Sequence, residues 1–309
     1  MKQQPGSKGN DRPTGALAKF GPAFLRTVRL YTYNTPVAKG KYRLFLSALK
    51  LVGRVPDNLV VPTRDGRRFA VDLSTGMQST VFFLGEYEKA VSDIVERLIV
   101  ENGCKVFLDV GANFGWYTSL FQKYAGRSGQ VHSFEPVPST FENLQRNHDL
   151  MGRPTNVRIN NLALGDEETE LTINLFEGFP TGHASLSTQG RDDATPFKCQ
   201  MITLDSYLES NNVRDVDFVK VDIEGAELGF LRGAERLFKQ PKPPIWLMEM
   251  ALNQSRNFGY LPDDLIKFMA ERADYDFFKI DEPNAKLIKI EGFANDDIGA
   301  NVICIPKGK

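Results

Sequence analysis

The sequence predicts an α/β domain built on a doubly wound, mostly parallel sheet with helices on both faces. Short apolar runs alternate from Val106 onward with segments of helical periodicity. That alternation, sustained over the rest of the chain, calls for parallel strands joined by crossover helices. One apolar run, 106–110, leads through glycines at 111 and 115 into a helix. In such sheets, ligands bind where strand tips turn into helices, near the switch in strand order.

The elements follow in order. Residues 1–15 are rich in Gly, Pro, Lys, Asn and Asp and read as disordered. Leu17–Tyr31 and Val37–Leu51 are weakly amphipathic. Leu59–Val61 and Phe69–Val71 flank Asp65-Gly66 and predict a β-hairpin. Tyr87, Val91, Ile94, Val95, Leu98 and Ile99 recur at helical spacing, and Gly103 suits the stop. Strands are then expected at Val106–Val110, Val131–Phe134, Val157–Leu164, Phe218–Val221, Ile245–Met248, Phe277–Ile280 and Val302–Ile305, with an edge strand at Thr169–Leu175. Helices are expected at Trp116–Tyr124, Thr140–Leu150, Glu227–Phe238 and Asp263–Ala273.

Composition narrows the class. With 41% hydrophobic and 25% charged residues, the chain has a globular core. Cys104, Cys199 and Cys304 are an odd set without close pairing, so neither a disulfide framework nor a zinc site is expected, and they read as buried thiols. No apolar run reaches the roughly 18 residues of a bilayer span, and the N-terminus lacks an apolar signal core. The expected location is cytoplasmic. Residues 1–54 hold eleven Lys/Arg and one acid, Asp11, so the remainder carries 27 basic and 38 acidic residues. This division predicts a basic arm at 1–54 and an α/β domain at 55–309. Two readings of the arm stand open: contact with an anionic membrane surface or polyanionic partner, or a tail followed by a helix packed on the main domain.

Three motifs carry the chemistry. The first is Asp109-Val110-Gly111-Ala112-Asn113-Phe114-Gly115, a buried strand that ends in an acid and a glycine turn. Asn113 stands where the dinucleotide fingerprint requires glycine. An acid at 109 suits the cationic ammonium and sulfonium side of S-adenosylmethionine rather than a pyrophosphate. The second is Phe134-Glu135-Pro136, an acid at the next strand end that can accept from both ribose hydroxyls. The third is Asp217-Phe218-Val219-Lys220-Val221-Asp222-Ile223-Glu224-Gly225-Ala226-Glu227, in which Asp222 ends a buried strand and Asp222, Glu224 and Glu227 form a cluster of acids beyond what capping a helix requires.

These motifs, with Asn161-Leu162-Ala163-Leu164-Gly165-Asp166 and Thr203-Leu204-Asp205, resemble the FkbM family of methyltransferases, and the likeness runs from about Gly85 to Met250. The resemblance implies a class I methyltransferase (Rossmann-like) fold, a seven-stranded sheet whose last strand is antiparallel, and S-adenosylmethionine as methyl donor. It further implies O-methylation of a small-molecule or glycan acceptor, often a hydroxyl of a sugar or a secondary metabolite. The cofactor-site candidates are Asp109, Gly111, Asn113, Gly115, Glu135 and Asp166.

An alcohol acceptor needs a base. The catalytic candidates are Asp222, Glu224 and His183, the last on the long Gly-rich loop Glu177–Pro196. Spacing gives Asp222, Glu249 and His183 no hard-cation site, and no metal is expected. The rival readings are a non-catalytic partner-binding protein that retains the fold, a nicotinamide oxidoreductase disfavoured by Asn113 and Asp109, and a nucleic-acid methyltransferase disfavoured by the acidic body.

Overall fold

A computed structural model describes residues 16–35, 40–52, 59–176, 194–293 and 298–308. The chain forms two compact units, Met1–Glu86 and Tyr87–Lys309. The boundary expected at 54 therefore lies inside the first unit. The change in charge at that point does not coincide with a change in packing.

The first unit contains α1 (Ala16–Asn34), α2 (Lys41–Val52), β1 (Leu59–Pro62), β2 (Arg68–Val71) and α3 (Gly76–Leu84). Each of the first two helices buries residues at i, i+3 and i+7: Leu25, Val28 and Thr32 on α1, and Phe45, Ala48 and Val52 on α2. Phe45 stacks on Phe83 of α3 at 4.8 Å, and the Thr32 hydroxyl donates to the Phe83 carbonyl at 2.6 Å. The hairpin forms as expected, with Leu59 opposite Val71. α3 was not anticipated, because Val81, Phe82 and Phe83 are consecutive buried residues without a clean period. It is capped by the Thr75 side chain and stopped by Gly85 at φ 71°.

The second unit runs α4 (Lys89–Asn102), β3 (Val106–Val110), α5 (Trp116–Ala125), β4 (Gln130–Phe134), α6 (Pro138–Leu150), β5 (Val157–Asn160), β6 (Ala163–Leu164), β7 (Thr169–Phe176) and β8 (Ala194–Ile202). It continues through α7 (Leu204–Ser210), β9 (Phe218–Val221), α8 (Glu227–Arg232), α9 (Glu235–Phe238), β10 (Ile245–Ala251), α10 (Leu252–Asn257) and α11 (Pro262–Ala270) to β11 (Tyr275–Asp281), β12 (Lys286–Ile290) and β13 (Gly299–Pro306). The main sheet has the order β12-β11-β13-β10-β9-β3-β4-β5. β5, β4, β3, β9 and β10 are mutually parallel, and β13, the last strand, lies antiparallel between β10 and β11. The antiparallel last strand is thus as expected, and β12 adds an eighth strand at the edge.

Three expected elements differ in detail. The run Val157–Leu164 divides into β5 of the main sheet and β6 of a second sheet, ordered β6-β8-β7. Thr169–Leu175 accordingly pairs with β8 rather than edging the main sheet. The helix expected over Glu227–Phe238 breaks at Gly233, where a Cβ would lie 1.9 Å from the Gly165 carbonyl oxygen. The core between the sheet and its helices includes Trp246 stacked on Phe238 at 5.5 Å, both buried. Each such side chain contributes about 1.5–3 kcal/mol from burial. All three cysteines are buried and unpaired by disulfides. His132 is also buried, with Nδ1 2.9 Å from the Tyr207 hydroxyl.

Candidate active site

Strand order reverses between β3 and β9: the chain leaves β3 toward β4 and β5 on one side and β9 toward β10 on the other. The carboxyl ends of these strands therefore flank the crevice where an open α/β sheet binds its ligand. Four tips converge there, carrying the turn 111–115, Glu135, Asp222 and Glu249.

The turn after β3 is held by close packing. Gly111 adopts φ 74°, and a Cβ at that position would stand 1.9 Å from the Asp222 carbonyl oxygen. Asn113 takes φ 51°, the left-handed conformation in which asparagine substitutes for glycine most readily. Its Oδ1 accepts from the Phe114 amide at 2.8 Å. The residue that broke the dinucleotide fingerprint therefore performs the glycine's conformational task. Gly115, at φ 91°, caps α5 without a side-chain hydrogen bond, so amides at the helix start point outward as donors.

Glu135 follows β4 and is 6% exposed. Its Oε2 accepts from the Asn113 amide at 2.9 Å and its Oε1 from the Val137 amide at 3.0 Å. Burial pushes its pKa up to about 7 against the pull of those two amides. Each oxygen keeps a lone pair for a further donor.

Asp109 is placed differently from the expectation that it grips a ligand directly. It is fully buried, with Oδ2 accepting from the Thr118 hydroxyl at 2.6 Å and Oδ1 lacking a hydrogen-bond partner. Burial raises its pKa, opposed by Lys220 and Thr118. It supports the turn from beneath.

Lys220, in the middle of apolar β9, was not singled out from sequence. Its ammonium donates to the Gly111 carbonyl at 2.8 Å and the Val110 carbonyl at 3.4 Å, and stands 3.5 Å from Asp222 and 3.9 Å from Asp109. Burial works against its charge, but Asp222, Asp109, Glu88 and Glu135 together outweigh burial and raise its pKa. One buried cation thus faces four carboxyl groups. Glu88 is driven up by burial and by Asp222. It accepts from the Tyr117 hydroxyl at 2.8 Å. The signal available in the sequence was a lone lysine within a fully apolar strand, a residue type almost never buried without partners.

Asp222 and Glu249 come from adjacent parallel strands. Their carboxyl groups hydrogen-bond, and burial with the charges of Asp222, Glu224 and Glu227 pushes the Glu249 pKa up to about 9. Glu249 thus keeps its proton beside Asp222. Glu224, at φ 56°, accepts from the Gln254 amide at 2.7 Å, and the same amide reaches Glu249 at 3.3 Å. Asp222 and Glu224 are therefore assembled with Glu249 as one group. Glu227 is committed to structure: its Oε1 accepts from the amides of Ile223 and Gly225, and its Oε2 lies 2.9 Å from the Tyr260 hydroxyl.

Two candidates fall elsewhere. Asp166 is half exposed and pairs with Arg232 at 3.8 Å, in the segment where Gly165 and Gly233 touch. That contact gives the motif around Asp166 a packing role. His183 lies outside the described residues. Among the described residues no cluster of His, Cys, Asp and Glu has the makings of a metal site.

The family model of the methyltransferase FkbM domain matches residues 109–277, more than half of the chain. The chain belongs to the FkbM methyltransferase family. It therefore carries an S-adenosylmethionine-dependent methyltransferase domain with the mixed α/β fold of class I enzymes. Among curated relatives, methyltransferase 1 of Beauveria bassiana is 29% identical over 146 residues, covering 41% of this chain and 57% of that protein. The hexuronic acid methyltransferase AglP of Haloferax volcanii is 30% identical over 141 residues, covering 45% of this chain and 54% of that protein. The chain thus spans little more than half the length of these two relatives. The solved methyltransferase FkbM from Methylobacillus flagellatus KT has a TM-score of 0.41 at 13% identity, covering 92% of this chain and 60% of that one.

The site fits this family's methyl donor. Glu135 holds lone pairs that suit a diol, and the acids around Lys220 outnumber it, which suits a cationic ligand.

Proposed function

We propose that this FkbM-family domain methylates a hydroxyl of a sugar, glycan or related metabolite, with the Asp222–Glu249 pair receiving the hydroxyl proton. The observation that carries the reading is that pair, held at the switch point by Gln254 and Lys220 beside the glycine turn. When bound, S-adenosylmethionine supplies an electrophilic methyl group.

In this reading Glu135 accepts hydrogen bonds from the ribose hydroxyls, and the open amides at the start of α5 receive the carboxylate of the amino-acid part. Gly111 and Gly115 let the turn pack closely against the Asp222 carbonyl and Leu144, which fixes those amides in place. Asp222, 42% exposed at its side chain, is the member of the pair that meets the acceptor. Glu249, behind it, holds a proton in a hydrogen bond to Asp222 and so helps to fix its orientation. Lys220 fixes Asp222 against the turn, so that the acceptor oxygen and the methyl carbon are brought into line. Orientation of this kind supplies roughly 7–11 kcal/mol in favourable systems. The curated relative named as a hexuronic acid methyltransferase supports a sugar as the acceptor class.

The test is transfer of labelled methyl from S-adenosylmethionine to a panel of uronic-acid and neutral glycans, with Asp222→Asn as the control. Turnover in that variant is expected to fall by about 10²–10⁴-fold, with affinity for S-adenosylhomocysteine changed far less. Unaltered turnover would remove Asp222 from the reaction. Failure of purified protein to bind S-adenosylhomocysteine at all would overturn the whole reading.

A further inference from the structure

The first unit carries a surface that the site at the switch point does not use. Of the twelve large apolar side chains exposed among the described residues, six lie on α1 and α2: Phe24, Leu30, Tyr31, Leu44, Leu46 and Leu51. These helices contain only 19 and 12 residues. Half of the exposed large apolar side chains therefore sit on a tenth of the chain.

The two helices repeat one arrangement. On α1 the buried series Leu25, Val28, Thr32 is shadowed by an exposed pair seven residues apart, Phe24 and Tyr31. On α2 the buried series Phe45, Ala48, Val52 is shadowed by Leu44 and Leu51 at the same spacing. A stripe that packs the core thus lies next to a second apolar stripe that faces water, twice over. Arg26, Arg43 and Lys50 are exposed on the same helices. From Arg12 to Arg54 the chain has nine Lys/Arg and not one Asp or Glu.

We infer that α1 and α2 dock the protein on the surface of an anionic lipid bilayer. The apolar stripes supply what inserts at the headgroup boundary, and the uninterrupted positive charge supplies attraction to anionic headgroups. Lysine and arginine extend their charged ends to the phosphates while their stems lie along the apolar surface. Phenylalanine and leucine facing water beside such charge are the composition of an interfacial helix. Neither helix is long and apolar enough to cross the membrane, so both lie along it. The residues beyond 54 carry a net excess of eleven acids, and an anionic surface repels them. Contact is thereby confined to this segment.

The test is co-sedimentation of the full chain with vesicles of phosphatidylcholine alone and of phosphatidylcholine with about one third phosphatidylglycerol. The expected result is at least tenfold stronger partitioning to the anionic vesicles, falling steeply between about 0.05 and 0.5 M salt. The triple charge reversal R26E/R43E/K50E should lose partitioning by on the order of a hundredfold or more, from about fivefold per basic residue. The triple variant F24S/L44S/L51S should weaken binding in all salts, whereas V100S, which removes an exposed valine of α4, should leave it unchanged. Unaltered binding of S-adenosylhomocysteine and unaltered melting of each variant establish that the fold is kept. Should the serine variant lose its fold, the charge reversal alone decides.

Equal partitioning to both vesicle types overturns the inference, as does a charge-reversed protein that binds like the parent. It is equally overturned if the parent ignores vesicles and light scattering shows a self-association that F24S/L44S/L51S abolishes, since the stripes then pair two copies of the chain. Because the readout is lipid partitioning, failure here leaves the methyl-transfer reading untouched, and the reverse also holds.

Discussion

At Glu249 the native state keeps a proton that the unfolded chain releases near the ordinary glutamate value of about 4.3. The folded value is raised to about 9 by burial and the neighbouring acids. The sign follows: stability from this group is fully present below the ordinary value and is lost as pH rises through about 9. Glu249→Gln ionises in neither state, so its melting temperature should match the parent near pH 4 and exceed it by a margin that widens to about pH 9, read by calorimetry across that range. Glu135 behaves differently, because its charged form is the better acceptor for hydroxyls. With a folded value of about 7, affinity for S-adenosylhomocysteine should rise from pH 6 to pH 8 and lose that dependence in Glu135→Gln, as isothermal titration would record. The acids at 135 and 222 were legible in the sequence because each ends an apolar strand, where a carboxylate has only the crevice to face. From sequence Glu249 is weighed only as a cation ligand, and Lys220 is given no role, since an apolar strand shows that a charge needs partners without saying which ones. Nor could the sequence tell that Asp109 is sealed beneath the turn, for that depends on Thr118 and Lys220 closing over it.

The element on which the proposed donor site depends is the turn between β3 and α5, and its conformation fixes what each position tolerates. Asn113→Gly preserves the left-handed backbone and should keep S-adenosylhomocysteine affinity within a few-fold. Asn113→Ala should cost about 1–2 kcal/mol of stability and weaken binding, in thermal and calorimetric measurements on the pair. Gly111→Ala is the harsher change, because its new methyl meets backbone rather than a yielding side chain. A loss on the order of 2–3 kcal/mol is expected in denaturant unfolding. The strands of the parallel sheet were readable as short apolar runs because both of their faces are buried. The second sheet was not, because β6 has only two residues and belongs to a run that reads as continuous with β5. The break at Gly233 escaped notice for a related reason: it answers to Gly165 nearly seventy residues earlier, and no local pattern encodes that contact.

For the molecule as a whole, the two compact units predict that ligand acts on one of them. Saturating S-adenosylhomocysteine, at about a hundred times its dissociation constant, should stabilise the unit Tyr87–Lys309 by about 2.7 kcal/mol and leave the melting of Met1–Glu86 in place. Scanning calorimetry resolves this as movement of a single transition. The fold class was legible because strand and helix alternate from Val106 to Leu150 and again from Phe218 to Ala270. The unit boundary was not, because the abrupt charge change at 54 falls within a segment whose hairpin and α3 pack with the basic helices. A last consequence follows from the contact between Gly111 and the Asp222 carbonyl. The loop we propose to seat the methyl donor and the loop we propose to present the base are packed backbone to backbone at this point. Redesigning this protein for a foreign acceptor by rebuilding residues 222–226 would therefore disturb its hold on the donor, and such engineering should begin at positions that do not bear on Gly111.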